Sequence, residues 1–279
     1  MLKALESPIL LVRDLERASL TYAALLGRSP EGPFALPDYA AESCVFGLAN
    51  TQIKLLAPKG SGSIADGLRA RLDRVGEGPL ALVFATPNVE RFSKQLMERG
   101  VETAPEPSAP GRPRWLRLPK ETARGVSLVT LERRGERTEA APVVAGSAVE
   151  ALDQVVVMSP DLEGSRAVYG DILGLRLALD RSFESRGTRI LFFRVGGVTI
   201  EVGGRLDATA KPEDPDRLWG LGYRVRDLEL TRERLLARGF ELSEIRKGAK
   251  RGTRVCTVRQ ETHGTPTLLI DSDPQTSAL

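Results

Sequence analysis

The chain has 279 residues, of which 41% are hydrophobic and 28% charged, a balance typical of a globular protein with one large or two ordinary domains. Its net charge of +3 is too small to indicate a nucleic-acid partner, no apolar run is long enough to span a membrane, and the start lacks a signal-peptide layout. Cys44 and Cys256 lie in strand-like runs and are expected to be reduced thiols. We therefore expect a cytoplasmic protein without nucleic-acid or membrane partners.

In chain order, the sequence repeats itself. Residues 9–27 align with 156–174 at an offset of 147, and 88–102 align with 227–241 at an offset of 139. The difference of eight residues predicts an insertion in the first copy, within 58–78. Such spacing indicates a tandem duplication of a module of about 130 residues.

Each copy also repeats its own plan of one strand, one helix and two or three further strands. The second copy predicts strands at 153–158, 175–180, 189–195, 198–202, 219–225, 241–246, 253–259 and 266–271, with helices at 160–173 and 227–238. Gly196 and Gly197 predict a two-residue hairpin turn. The domain prediction is a first module at 1–132, a linker at 133–149 and a second module at 150–279.

Both copies contain a strand followed by a helix that begins with Asp-Leu-Glu and ends with Tyr and Leu-Gly, at Asp14–Gly27 and Asp161–Gly174. Four such βαβββ units closely resemble the vicinal oxygen chelate superfamily, which includes glyoxalase I, extradiol dioxygenases and bleomycin-resistance proteins. The resemblance covers roughly residues 5–132 and 151–271. It implies an α+β fold with two glyoxalase-like modules, each made of two βαβββ units that form an open curled sheet around a cleft.

The resemblance also implies where metal ligands would lie. The family's four positions fall on Gln154, Glu201, Gly220 and Leu268 in the second module, and on Ser7, Lys54, Ala81 and Val129 in the first. Only Gln154 and Glu201 have side chains suited to a metal, and two ligands make a poor site. The single histidine, His263, lies in a turn, and one histidine excludes the two-histidine iron site of extradiol dioxygenases within one chain. We expect no bound metal or other cofactor.

Strand alternation places Gln154 with Val156 and Met158 on one face, Thr199 with Glu201, and Gly220 with Gly222 and Arg224. Arg224 could form a structural ion pair with Glu201 or bind an acidic substrate, and the sequence favours neither. Trp219 and Tyr223 either add aromatic area to the cleft or lie under the helix. The predicted substrate-binding residues are Gln154, Arg224, Thr199, Tyr223 and Gly220, and the predicted catalytic residue is Glu201.

The leading functional hypothesis is that the second module binds a small, partly apolar molecule without a metal, whether or not that molecule is acidic. The first module, whose cleft is degenerate, would be its structural partner. One alternative is a glyoxalase- or lyase-type enzyme with Glu201 as general base. If such an enzyme held a metal, water, substrate or another chain would supply the missing ligands. A second alternative is drug or toxin sequestration. The duplication predicts a monomer with an internal pseudo-dimer, or a homodimer.

Overall fold

The computed structural model describes residues 1–107, 113–133, 135, 146–207, 211 and 214–272. The predicted linker, 133–149, lies largely outside the described residues, and strand β8 already begins at Val149. The division into modules at 1–132 and 150–279 stays a prediction.

The first module has seven strands and three helices among its described residues. They are β1 (Ala4–Leu11), α1 (Leu15–Leu26), β2 (Glu31–Leu36), β3 (Ala41–Gly47), β4 (Gln52–Pro58), α2 (Ser63–Val75), β5 (Gly78–Thr86), α3 (Val89–Glu98), β6 (Trp115–Arg117) and β7 (Ser127–Glu132). Helix α2 lies in the predicted insertion. Nineteen residues separate β4 from β5, whereas eleven separate the corresponding strands of the second module, and the excess of eight matches the difference between the two offsets.

The second module has eight strands and two helices among its described residues. They are β8 (Val149–Met158), α4 (Leu162–Arg166), β9 (Arg176–Phe183), β10 (Thr188–Val195), β11 (Val198–Arg205), β12 (Arg217–Val225), α5 (Leu228–Leu236), β13 (Arg246–Lys247), β14 (Thr253–Val258) and β15 (Thr267–Ser272). Helix α4 continues as a π-helical stretch, Ala167–Ile172. The predicted two-residue turn is confirmed, because β10 and β11 pair up to Val195 and Val198 and both intervening glycines have positive φ.

The repeated helices begin for the same local reason. Asp14 precedes α1, Asp161 precedes α4 and Asp227 precedes α5, and each carboxylate accepts a hydrogen bond from the backbone N–H three residues later. Asn88 does the same for α3. These caps satisfy N–H groups that have no partner inside the helix.

The core also repeats. Tyr22 of α1 packs against Phe46 with ring centroids 6.3 Å apart, and Tyr169, 147 residues later, packs against Phe193 at 5.8 Å. All four side chains are fully buried. The two copies therefore use the same aromatic pair to hold their first helix against its sheet, as a duplication predicts.

Two open sheets carry these elements. Their strand orders are β2-β3-β4-β1-β5-β7-β6 and β13-β14-β15-β12-β8-β11-β10-β9. Within a βαβββ unit the first and last strands are parallel neighbours, as β1 is to β4 and β8 to β11. The α+β fold and the open sheets are confirmed. Neither sheet closes into a barrel, because its described edge strands are not paired with each other. Among the described residues, the second βαβββ unit of the first module has only β6 and β7 after its helix, plus an isolated bridge at Glu106.

The chain forms two compact units, each of which combines one half of each module. The first unit comprises 1–8, 80–138 and 154–219, and the second comprises 9–79, 139–153 and 220–279. In the part of the chain that the structure describes, no helix is both long and apolar enough to cross a membrane.

Candidate functional site

A polar pair, Gln154 of β8 and Glu201 of β11, lies on the open face of the second module's sheet, opposite the helices. Thr199 is the register partner of Gln154 in these parallel strands, so the side chains of Gln154, Thr199 and Glu201 share one face. Gln154 Nε2 donates a hydrogen bond of 2.9 Å to Glu201 Oε2, and both side chains are half-buried. Two of the predicted site residues are thus in direct contact.

Three rows of side chains cross β8, β11 and β10 on this face, which we call the Glu201 face. The rows are Gln154–Thr199–Arg194, Val156–Glu201–Phe192 and Met158–Gly203–Ile190. Adjacent rows are roughly 7 Å apart and neighbouring strands are roughly 5 Å apart. Glu201 is therefore the centre of the array, with apolar side chains on both sides in its own row.

Gly203 leaves a hollow beside Glu201. A Cβ atom at Gly203 would meet Ile190 Cγ1 and Met158 Sδ at 3.9 Å, which is ordinary van der Waals contact, so a methyl-sized group fits between these two side chains without a clash. Met158 and Ile190 are half-buried and form apolar walls. A methyl-sized apolar group of a small ligand can contact both walls of this hollow while the ligand's polar group reaches Glu201.

Arg194 adds a cation to the row next to Glu201. Its Nη1 donates a hydrogen bond to Thr199 Oγ1, and its side chain is exposed whereas Thr199 is buried. Guanidinium groups bind carboxylates in a planar, bidentate arrangement. The face therefore carries both an acceptor for ligand donors, Glu201, and a donor for ligand acids, Arg194.

The sequence identified Gln154, Thr199, Glu201, Val156 and Met158 on this face but missed Arg194, Phe192, Ile190 and Gly203. Alternation does not show which residues of β10 point to this face, because Phe192 and Phe193 are adjacent and both apolar. In the structure only Phe193 is buried. The predicted turn at Gly196 and Gly197 contains the missing signal. A two-residue hairpin fixes the partner of every residue on β10, and it pairs Arg194 with Thr199.

The other predicted site residues, Gly220, Tyr223 and Arg224, belong to the second unit. Arg224 is exposed there. Tyr223 is fully buried on the opposite face of β12, and burial raises the pKa of its hydroxyl well above the usual value. The space at Gly220 is taken by Pro266, since a Cβ there would lie 2.5 Å from the Pro266 carbonyl oxygen.

The residues on the Glu201 face do not fit a metal ion. Gln154 turns its amide NH₂ towards Glu201, and the other two positions that the resemblance implies, Gly220 and Leu268, have no donor atoms in their side chains. Among the described residues, no three or more His, Cys, Asp or Glu side chains form a group that could hold a metal.

His263 lies in the turn before the last strand, as predicted, and pairs with an acid of the first module. Its Nδ1 is 2.8 Å from Glu77 Oε2, while Glu77 Oε1 accepts a hydrogen bond of 2.7 Å from the backbone N–H of Arg13. The His263 side chain is buried, with φ at 47°. This geometry supports a structural role for the one histidine.

A matching network in the first unit joins Arg124 to two acids of the second module. Arg124 Nη1 is 3.1 Å from Asp161 Oδ2, and its Nε is 3.2 Å from Asp216 Oδ1. Ser165 Oγ donates a hydrogen bond of 2.6 Å to Asp216 Oδ2. Asp216 is almost fully buried, and burial raises the pKa of its carboxyl despite hydrogen bonds from Ser165 and Ser159 and the charge of Arg124.

The described residues also form a shallow groove of about 430 Å³ in the first unit, at 102–106 and 117–120. None of the predicted site residues lines it. It is open to solvent, and nothing in its lining distinguishes it as a binding site.

Comparison with known proteins supports the resemblance. Residues 153–257 match the family described as the Glyoxalase/Bleomycin resistance protein/Dioxygenase superfamily. No curated protein sequence matches the chain.

Solved structures match along nearly the whole chain. A mutant 4-hydroxymandelate synthase from Streptomyces coelicolor is 14% identical, with a TM-score of 0.73 over 98% of this chain and 93% of that one. A Mn(II)-bound glyoxalase from Novosphingobium aromaticivorans is 13% identical, with a TM-score of 0.67 over 97% and 82%. The halotolerant catechol dioxygenase BphC is 9% identical, with a TM-score of 0.67 over 98% and 87%. At these identities the likeness shows a shared fold. Residues 153–257 are therefore similar to the glyoxalase/bleomycin resistance/dioxygenase superfamily, and the chain as a whole shares the fold of these solved structures.

Proposed function

We propose that the second module binds a small, partly apolar acid on the Glu201 face, without a metal ion. The observation that carries this proposal is the position of Glu201 beside the Gly203 hollow, with Arg194 in the adjoining row. The apolar part of the ligand fills the hollow between Met158 and Ile190. Its acidic group pairs with Arg194, and a hydroxyl or amide N–H donates to Glu201.

The same position in the first module shows what would abolish binding. Residue 203 corresponds to Leu56 at the offset of 147, and the half-buried Leu56 side chain lies where the second module has a hollow. Gly203 has no positive φ, so its backbone accepts an ordinary side chain. Gly203→Leu therefore transfers the filled arrangement to the second module.

The test is a calorimetric titration of the purified chain with small aliphatic and aromatic hydroxy acids. The best ligand should lose about tenfold or more in affinity with Gly203→Leu, because apolar contacts in the hollow are lost. Glu201→Gln should weaken ligands that carry a donor more than analogues that lack one. Glu184→Gln, an exposed carboxylate of the same module, is the control and should bind as the parent does. Equal affinity for parent and Gly203→Leu would contradict the proposal.

The alternative, an enzyme with Glu201 as general base, uses the same face. A base would exchange the acidic C–H of a bound ligand with solvent deuterium, and Glu201→Gln would slow this exchange by roughly 10²-fold or more. Sequestration would give binding without exchange. Mass spectrometry of the ligand after incubation in D₂O distinguishes the two.

A further inference from the structure

The residue that corresponds to Glu201 in the first module is Lys54, on β4. Ile9 of β1 and Val45 of β3 are its register partners on the two neighbouring strands, so its side chain lies between two half-buried aliphatic side chains on the open face. Leu56, two residues further along β4, is on the same face. The charge at the centre of the array is therefore reversed relative to the second module.

Lys54 differs from every other lysine of the protein. All eight lysines are among the described residues, and Lys54 alone is not exposed; the others are Lys3, Lys59, Lys94, Lys120, Lys211, Lys247 and Lys250. The lysine next along the chain, Lys59, is exposed and pairs with Glu42.

Lys54 also has no acidic partner among the described residues. Glu31 of β2 is the carboxylate in register on its face, but Val45 lies between them, and Glu31 is exposed. A half-buried ammonium without a counter-ion is costly, and burial accordingly lowers the pKa of the Lys54 amine. A neutral amine has a free electron pair and acts as a nucleophile.

We propose that Lys54 is the reactive group of a second site, on the open face of the first module, which takes a small apolar aldehyde or ketone as an imine. The neutral amine attacks the carbonyl carbon, a C–N bond forms, and the carbonyl oxygen takes a proton from the nitrogen. The C–O bond then breaks, the hydroxyl takes the second proton of the nitrogen and leaves as water, and a C=N bond remains. Ile9 and Val45 contact the apolar part of the carbonyl compound. This site does not depend on the function proposed for the second module.

The experiment uses the intact chain with pentanal and sodium cyanoborohydride at neutral pH, followed by peptide mass spectrometry. Cyanoborohydride reduces the imine to a stable alkyl-lysine. Lys54 should be labelled about severalfold faster than any exposed lysine, since a lowered pKa leaves a larger share of the amine neutral at the same pH. Lys54→Arg should remove this fast label, and Lys59→Arg should leave it unchanged.

A third variant tests the environment rather than the residue. Val45→Glu places a carboxylate directly opposite Lys54, where cross-strand side chains interact, and should slow the label by stabilising the ammonium. Its thermal unfolding curve verifies that the chain folds. Labelling of Lys54 no faster than the exposed lysines would overturn the proposal. So would faster labelling by glyoxylate than by pentanal, which would indicate an anion site instead.

Discussion

The two modules present the same array of side chains with different chemistry. In the second module, Glu201 lies between Val156 and Phe192 with a hollow at Gly203. At the equivalent positions of the first module, Lys54 lies between Ile9 and Val45, and Leu56 replaces the glycine. The helix-facing sides of these strands stay buried and apolar, since Ile53 and Leu55 correspond to Ile200 and Val202. The aromatic pair of Tyr22 with Phe46 likewise matches Tyr169 with Phe193. The fold depends on one face of each strand, and the other face is free to diverge.

A second comparison concerns the loops that join the modules within each unit. Glu77 and His263 in the second unit correspond to Asp216 and Arg124 in the first, at an offset of 139 residues for both partners. Arg124 and His263 share a φ of 49° and 47°, and each is followed by a glycine with positive φ. Equivalent positions of the two halves therefore both carry an acid–base contact, although both of its members differ.

The largest expected effect is in the first unit, where Arg124→Asn should cost about 3–5 kcal/mol in the free energy of unfolding. Asn tolerates the positive φ, so the loss comes from the guanidinium and its hydrogen bonds to Asp216 and the Asp214 carbonyl oxygen rather than from the backbone. The variant leaves Asp216 buried without its cation. The variant should raise the pKa of Asp216 further above its value in the unfolded chain. When a folded-state pKa is raised in this way, the folded chain loses stability as the pH rises through that pKa. The deficit should therefore be smaller in mildly acidic buffer than at neutral pH. Urea unfolding at both pH values measures it, and an equal loss at both would contradict this explanation.

His263→Asn is the matched change in the second unit and should cost less, about 1–2 kcal/mol. Glu77 is 23% exposed and keeps its hydrogen bond from the Arg13 N–H, so water can replace the histidine. The measurement is again urea unfolding, alongside Arg124→Asn. A loss as large as that of Arg124→Asn would show that the two contacts are equally important and would remove the asymmetry.

The sequence predicted the duplication because Asp-Leu-Glu, Tyr and Leu-Gly recur at a fixed offset, and these residues cap, pack and end the same helix in both copies. It also placed Gln154 and Glu201 on one face by alternation. It could not predict the contact of Arg124 with Asp216, because the partners are 92 residues apart and no local pattern relates them. Alternation alone also missed the pairing of Arg194 with Thr199. The two-glycine turn, which the sequence does predict, fixes that pairing.

Lys54→Met tests the reversed charge. Burying the ammonium opposes folding, so its removal should stabilise the chain by about 1 kcal/mol at neutral pH. The folded pKa of Lys54 is below its usual 10.5, so the unfolded chain binds more protons between the two values. Stability of the parent should then rise with pH in that window, and the variant should lack this rise. Glu201→Met is the comparison and should not stabilise, because Glu201 accepts a hydrogen bond from Gln154. A destabilised Lys54→Met would show that the ammonium has a favourable partner.

The smallest effect concerns a single hydroxyl. Tyr223 corresponds to Phe84 at the offset of 139, and its buried hydroxyl oxygen has no hydrogen-bond partner among the described residues. An unsatisfied buried hydroxyl is unfavourable, so Tyr223→Phe should stabilise the second unit by about 0.5–1 kcal/mol and make it resemble the first. Tyr22→Phe is the control of opposite sign, because the Tyr22 hydroxyl donates to the Thr262 carbonyl oxygen at 3.2 Å and its loss should cost about 1 kcal/mol. Thermal unfolding of both variants decides the matter. If Tyr223→Phe were as destabilising as Tyr22→Phe, the Tyr223 hydroxyl would be making a hydrogen bond. The second unit would then have a polar contact at this position that Phe84 cannot make in the first.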